Sequence, residues 1–304
     1  MASNAPRPTK SERLEAARIE ARAKREAAEK KRRQRSLWTK IGIIVGIVAL
    51  VAGGGLWYYF GSVKPNNTVA QVGPIPANAN QYGGVVVTGE NKLAPTPEGS
   101  PTEVDIASVD GAASVSGAKT EPQGADANAN PAQIIVYVDP LCPYCKQFED
   151  SYGADLDAYV KEGKATVEYR MVTFLDRISP SNYSSRASNA LACVAAEDPA
   201  GYVPFLKSLY AAQDEGLVDE NSKPGGLSNA ELAERAQQAG VSVSIKSCVD
   251  NGTYRPWVKV ATGLALKANV QGTPAVIVNG ATWDGTTDAD FKVWADAKIA
   301  AADK

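Results

Sequence analysis

Two thiols, Cys142 and Cys145, stand two residues apart in the stretch Cys142-Pro143-Tyr144-Cys145. A strand-like run, Gln133-Ile134-Ile135-Val136-Tyr137-Val138, precedes them, and a helix-like run, Lys146-Gln147-Phe148-Glu149-Asp150, follows. Two cysteines so spaced at a helix start can close into a disulfide and reopen. Free N–H groups and the helix dipole favour negative charge on the first of them, and the thiolate is the attacking species in disulfide exchange. The pattern points to dithiol–disulfide chemistry, with Cys142 attacking, Cys145 resolving, and Pro143 and Tyr144 completing the candidate catalytic quartet. Two carboxylates lie nearby. Glu149 falls four residues after Cys145, on the same helix face, and Asp139 ends the preceding strand. Both are candidates for proton transfer as the thiols ionise; their plainer roles are a solvated helix position and a loop-bonding carboxylate. The chain contains no histidine, so thiolate stabilisation falls to the helix terminus and backbone.

The elements that must hold these residues occupy 131–304, enough chain for a sizeable core. A strand is predicted over 133–139 and a helix over 143–161, where Phe148, Tyr152, Leu156, Tyr159 and Val160 recur at helical spacing before Gly163. A second strand is read from Ala165 to Phe174. Helices follow at Tyr183–Ala196 and Tyr202–Ala212, then from a Ser228 cap to Gly240, then at Ser242–Val249 and Tyr254–Ala268. The chain returns to strand at Ala275-Val276-Ile277-Val278, turns at Asn279-Gly280 and ends in a helix over 288–302.

The N-terminal part has a different character. Residues 1–40 carry thirteen Lys/Arg against five Asp/Glu, a net charge of +8 in a chain whose total is −2. The segment 1–36 reads as a basic cytoplasmic tail, a topogenic flank with no nucleic-acid role. Ile41 to Phe60 holds no charged residue, and about 20 apolar residues suffice to cross a bilayer as a helix. With Trp38 before it and Trp57, Tyr58 and Tyr59 at its end, 37–60 is expected to be a single transmembrane helix, N-terminus inside. A cleaved signal peptide fits less well, because the apolar run is long and no A-x-A site closely follows it. Residues 61–130, rich in Ala, Gly, Asn, Pro, Thr and Ser, read as a flexible extracytoplasmic linker, with Val85-Val86-Val87 a candidate extra strand. All four cysteines, Cys142, Cys145, Cys193 and Cys248, follow the apolar run, as suits an oxidising compartment.

The order of strand, CxxC, helix, strand, helices and a strand opened by proline resembles the thioredoxin-like superfamily. Within it the chain is similar to the DsbA-like thiol:disulfide oxidoreductases, of the membrane-anchored, exported kind found in Gram-positive actinobacteria. The residues that carry the likeness are Val138-Asp139-Pro140-Leu141-Cys142-Pro143-Tyr144-Cys145-Lys146-Gln147-Phe148-Glu149, Gly272-Thr273-Pro274-Ala275-Val276 and Tyr183-Ser184-Ser185-Arg186-Ala187. The resemblance implies an α/β thioredoxin-like fold with a helical insertion at about 180–270. It implies a cis bond before Pro274 and a substrate-binding role for Thr273 and Pro274. Tyr144 stands where many relatives have histidine. Cys193 and Cys248 are expected to form a structural disulfide in the insertion; a second redox-active pair and a four-thiolate zinc site with Cys142 and Cys145 are the alternatives. No metal and no cofactor are expected.

The expected activity is an extracytoplasmic oxidoreductase that introduces disulfides into exported proteins. Its partners would be exported cysteine-containing substrates and, as in related systems, a membrane redox protein for re-oxidation. An exported reductase or isomerase and a redox-inactive anchored binding or sensor domain are the alternatives.

Overall fold

Ile134 to Val138 is apolar at every position, so this strand must be covered on both faces. The computed structural model describes residues 69–115, 119–179, 181–218, 225–285 and 290–302. In chain order the strands are β1 (Val72–Pro74), β2 (Gly84–Gly89), β3 (Lys92–Leu93), β4 (Glu103–Asp105), β5 (Ala132–Val138), β6 (Ala165–Met171), β7 (Ala275–Val278) and β8 (Ala281–Thr282). The helices are α1 (Pro143–Lys161), α2 (Tyr183–Glu197), α3 (Tyr202–Asp214), α4 (Asn229–Gln238), α5 (Lys246–Asn251), α6 (Arg255–Lys267) and α7 (Phe291–Ala302).

Six strands form one sheet in the order β3-β2-β6-β5-β7-β8, with β5 and β6 parallel and the other neighbours antiparallel. On one face Ile134, Val136 and Val138 join the core of Phe148, Leu156, Phe291 and Ile299 from α1 and α7. On the other, Ile135 and Tyr137 pack with Ala265, Ala268 and Val270. The helices α2 to α6 fill the interval between β6 and β7, as the helical insertion requires. Within them Cys193 and Cys248 are bonded to each other, which leaves no four-thiolate zinc site. Asn130–Pro131 and Thr273–Pro274 are the cis peptides among the described residues.

Three helix ends follow local chemistry closely. Pro143 stands in the first turn of α1, where no backbone donor is needed, and Gly163 takes φ 69° just past its end. Ser228 and Glu231 form a reciprocal capping box at the start of α4. Elsewhere long-range bonds move a boundary. The strand expected to run to Phe174 stops at Met171, because Phe174–Ile178 winds into a 3-10 turn whose Leu175 N–H binds Asp139. The helix expected from Ser242 starts at Lys246, since Asp198 holds both the N–H and the hydroxyl of Ser242.

The largest departure lies in 61–130. Instead of running as a free tether, residues 69–115 carry β1 to β4 and pack on the domain, with Val85, Val87, Leu93, Val104, Ile106 and Val109 buried. Val85-Val86-Val87 does join the sheet, through β2 against β6. A buried ion pair anchors it. Arg170 Nε donates to Glu168 at 2.7 Å, Asn80 Nδ2 donates to the same oxygen at 2.8 Å, and Tyr137 accepts from Arg170 at 3.1 Å. Gly84 has no Cβ because Glu168 Oε1 would lie 1.9 Å from it. The glycines and asparagines that suggest a linker are here the residues that permit close approach.

The expected tail (1–36) and membrane helix (37–60) lie outside the described residues, as does 61–68. Among the described residues no helix is long and apolar enough to cross a membrane.

Two stability predictions follow from this packing. A Cβ on Gly263 of α6 would sit 2.4 Å from Val109 Cβ. Gly263→Ala gains about 1 kcal/mol of helix propensity but overpacks the contact, at a cost of about 1–3 kcal/mol. Limited proteolysis should therefore show faster cleavage within 69–115 than in the wild type, with the remainder intact. Replacing both Cys193 and Cys248 by alanine opens a link spanning 55 residues. Urea denaturation should show a loss of about 2–4 kcal/mol.

Candidate functional site

Strand β5 ends at Val138, and the next four residues turn the chain so that α1 begins with its N-terminus at the carboxyl end of the strand. Cys142 is the N-cap of α1, extended in backbone (φ −75°, ψ 119°). Its N–H binds the Asp139 carbonyl at 2.9 Å, and its own carbonyl accepts from Lys146 N–H at 3.2 Å. Gln213 of α3 reaches across to the same turn, donating to the Pro140 carbonyl at 3.0 Å. The insertion thus braces the backbone that carries the thiol.

Cys142 and Cys145 are both free and both buried, at 5% and 1% exposure. Opposite them the loop before β7 brings Thr273 and Pro274 to the site, and the Cys142 thiol donates to the Thr273 carbonyl at 3.4 Å. The sequence places Cys142 and Thr273 131 positions apart, and the fold joins them. Pro143 is exposed and Tyr144 half-buried at the mouth.

The two thiols differ in acidity. Cys142 is lowered to about 6, chiefly by the hydrogen bond from the Cys145 thiol. The Thr273 side chain and the N–H groups of Cys145 and Tyr144 add to this, and burial opposes it. Cys145 is pushed well above its ordinary value, first by burial and then by the neighbouring Cys142. The charge therefore settles on Cys142 at the helix start and the proton on Cys145 one turn inside, which is the polarity that nucleophile and resolving group require.

Both candidate carboxylates are buried. Glu149 on α1 faces inward, 8% exposed, with Lys207 Nζ at 3.7 Å from one oxygen and the Tyr169 hydroxyl donating to the other at 3.4 Å. Burial raises its pKa, and Lys207 partly offsets this. Burial pushes up the hydroxyl of Tyr210, which has no hydrogen-bond partner, and the charges of the cysteine pair and of Glu149 add to this. Asp139 is fully buried. It accepts from the Ser184 hydroxyl at 2.6 Å, Leu141 N–H at 2.9 Å and Leu175 N–H at 3.0 Å. Burial lifts it to about 7 against these bonds.

Sequence reasoning assigned no role to Ser184, Lys207, Tyr210 or Gln213. Ser184 sits in the quoted Tyr183-to-Ala187 stretch, but only the fold shows that its hydroxyl meets Asp139. Lys207 and Gln213 carry no local signal; α3 presents Lys207 to Glu149 on α1 and Gln213 to the loop before it, to a residue 73 positions earlier.

A family model described as thioredoxin matches residues 124–297, and the chain belongs to that family. The sheet and the meeting of the Cys142 thiol with the Thr273 carbonyl, beside the cis bond before Pro274, agree with that family: a thioredoxin-superfamily protein with two free thiols at the start of α1. Among solved structures, the MdbA protein of Actinomyces oris, a thiol-disulfide oxidoreductase, shares the fold. Its TM-score is 0.50 at 20% identity, over 77% of this chain and 91% of that one. Oxidised DsbA of Mycobacterium tuberculosis aligns at 31% identity and a TM-score of 0.47, over 62% of this chain and 90% of its own. Among curated proteins, the serine/threonine-protein kinase PknE of Mycobacterium tuberculosis is 32% identical over 168 residues. That match takes in 53% of this chain and 28% of the kinase.

The acidity of Cys142 gives a pH prediction with a definite sign. A lowered thiol pKa stabilises the folded, reduced protein; the contribution is complete above the unfolded thiol value and is lost as pH falls through about 6. Thiolate absorbance at 240 nm should therefore titrate near pH 6 in the reduced wild type and vanish in Cys142→Ser.

Proposed function

We propose that this chain is a membrane-anchored, extracytoplasmic enzyme that introduces disulfides into exported proteins by exchange at the Cys142-Pro143-Tyr144-Cys145 site. The observation that carries the proposal is the placement of the two thiols, Cys142 at the start of α1 with its thiol on the Thr273 carbonyl and Cys145 buried one turn inside, which splits their acidity. A stabilised Cys142 thiolate makes the reduced form favourable, and a site whose reduced form is favourable is an oxidant towards its substrates.

In the oxidised enzyme a substrate thiolate attacks Cys142 Sγ. The Cys142–Cys145 bond breaks, a substrate–Cys142 bond forms, and Cys145 leaves with the electron pair. Burial makes that thiolate basic, and it takes up a proton. Glu149, one turn further along α1 and linked to the half-exposed Lys207, is the group that supplies it. A second substrate thiolate then attacks the substrate sulfur of the mixed disulfide. The substrate leaves oxidised, and Cys142 leaves as the thiolate its surroundings favour. Thr273 and Pro274 bind the substrate backbone beside the exchanging sulfurs. Two electrons now rest on the enzyme, and a membrane redox partner removes them.

The charge-free run Ile41–Phe60 with its basic flank supports the anchor, and the Cys193–Cys248 bond supports an oxidising compartment. Exported proteins with paired cysteines are the substrates this placement offers.

Equilibration of the full chain with glutathione buffers tests the direction. A potential above that of thioredoxin, about −270 mV, is expected, since the Cys142 thiol is the more acidic; a value at or below about −270 mV would make the protein a reductase. Cys142→Ser should abolish oxidation of a reduced model protein. Cys145→Ser should leave attack at Cys142 possible and accumulate mixed disulfides, seen as adducts on non-reducing gels.

A further inference from the structure

Cys142 sits between two walls at one edge of the sheet. β5 and β6 are parallel, so the chain leaves both at that edge. The turn Phe174–Ile178 after β6 lies against the catalytic loop. Val172 N–H binds the Val138 carbonyl at 2.9 Å, and Leu175 N–H binds the carboxylate of Asp139, whose carbonyl holds the Cys142 N–H. Thr273 and Pro274 precede β7, on the other flank of β5. They form one wall, and the turn forms the other.

The turn is firmly built. Thr173, just before it, is joined by its N–H and its hydroxyl to the Thr262 hydroxyl of α6. Phe174 packs on the core that holds Ile135 and Tyr137. Leu175 bonds to Asp139, and Asp176 accepts from the N–H and hydroxyl of Ser185 on α2. The last two residues have no such task. Ile178 is 49% exposed. Arg177 is half-buried; its Nε is covered and has no hydrogen-bond partner, and no carboxylate among the described residues forms an ion pair with it. Asp139, whose charge it feels, is fully buried and already accepts three hydrogen bonds. Burial works against the Arg177 charge. A guanidinium that has lost part of its water and gained no partner is a cost to the fold, and its planar set of donors matches a carboxylate.

We infer that Arg177 is a specificity-determining residue, which pairs with an acidic side chain of the substrate close to the cysteine that attacks Cys142, beside the apolar surface of Ile178. The substrates it selects are exported chains with a carboxylate near the reactive cysteine. Neighbouring strands lie about 4.8 Å apart and an extended chain advances about 3.3 Å per residue, so the carboxylate belongs within about three positions of that cysteine. The rigid turn holds the cation ready before substrate arrives, so little ordering is needed on binding. A pair that stays half in water is also weak enough to let the oxidised product go. The inference rests on the thiol–disulfide reading of Cys142 and adds a substrate preference to it.

The test follows reduction of the oxidised full chain by two-cysteine peptides that differ at one position near the first cysteine, as glutamate, glutamine or lysine. Each rate is divided by that peptide's rate with a small neutral disulfide, which removes differences in thiol reactivity. In the wild type kcat/KM should then be about fivefold higher for the glutamate than for the glutamine peptide and lower again for lysine, and the gap should close in about 1 M salt. The preference should vanish in Arg177→Gln and invert in Arg177→Glu. Arg177→Lys should keep part of it, which a packing role alone would not. Each variant is judged by its own ratio between peptides, so a fall in overall activity does not obscure the result. Equal ratios in the wild type and Arg177→Gln, or no reaction with any peptide by an enzyme that dithiothreitol reduces, overturn the recognition and leave the exchange reading standing. Failure of Cys142 and Cys145 to form a disulfide in any glutathione buffer overturns both.

Discussion

A thiol must lose its proton in a place from which water is nearly excluded. Cys142 is 5% exposed, so solvent cannot carry its charge and the protein has to. Most of the architecture near the site answers that requirement. The strand β5 delivers the chain to the start of α1, where N–H groups are unpaired by the geometry of a helix. Pro143 in the first turn removes one donor and fixes the helix entry without cost. The Thr273 loop closes the other side. The Cys145 thiol, protonated by its own burial, turns towards its neighbour. The same low polarity that would suppress ionisation at an isolated cysteine strengthens each of these dipoles.

The insertion serves this constraint at a distance. Gln213 holds the loop backbone, Lys207 meets Glu149, and Ser184 meets Asp139, so α2 and α3 each supply polar groups that the sheet and α1 lack. The Cys193–Cys248 bond joins α2 to α5. The redox chemistry and the structural crosslink are therefore kept on different pairs of cysteines, one at a helix start by the loop and one deep between helices.

How much of this could be read from residues alone follows from the range of the interactions. The ends of α1, the capping box of α4 and the strand β7 were legible because Pro143, Gly163, Ser228, Glu231 and the Val-Ile-Val run act within a few positions of themselves. The Cys142–Cys145 spacing carries its own chemical signal, whereas Thr273 and Pro274 are tied to it through the family resemblance, and the fold places the Thr273 carbonyl against the Cys142 thiol. The segment 69–115 was not legible. What orders it is Glu168 and Arg170 on β6 meeting Asn80 and Tyr82, together with glycines that let backbone approach side chain at Gly84 and Gly263. Composition alone gives these residues the look of a linker. For the same reason β6 was read three residues too long, since nothing near Phe174 announces that Asp139, 36 residues earlier, will capture the next N–H.

The six-stranded sheet ends on both sides in strands of two residues, Lys92–Leu93 and Ala281–Thr282. An enzyme of the proposed kind meets chains that are not yet folded and that seek partners for their backbone. Long open edges would let such chains add themselves anywhere along the sheet and stay there. With both margins cut short, an incoming chain finds no rail to zip onto. On the proposed function its engagement falls instead in the neighbourhood of Thr273, where a bond that forms is one that the chemistry also breaks.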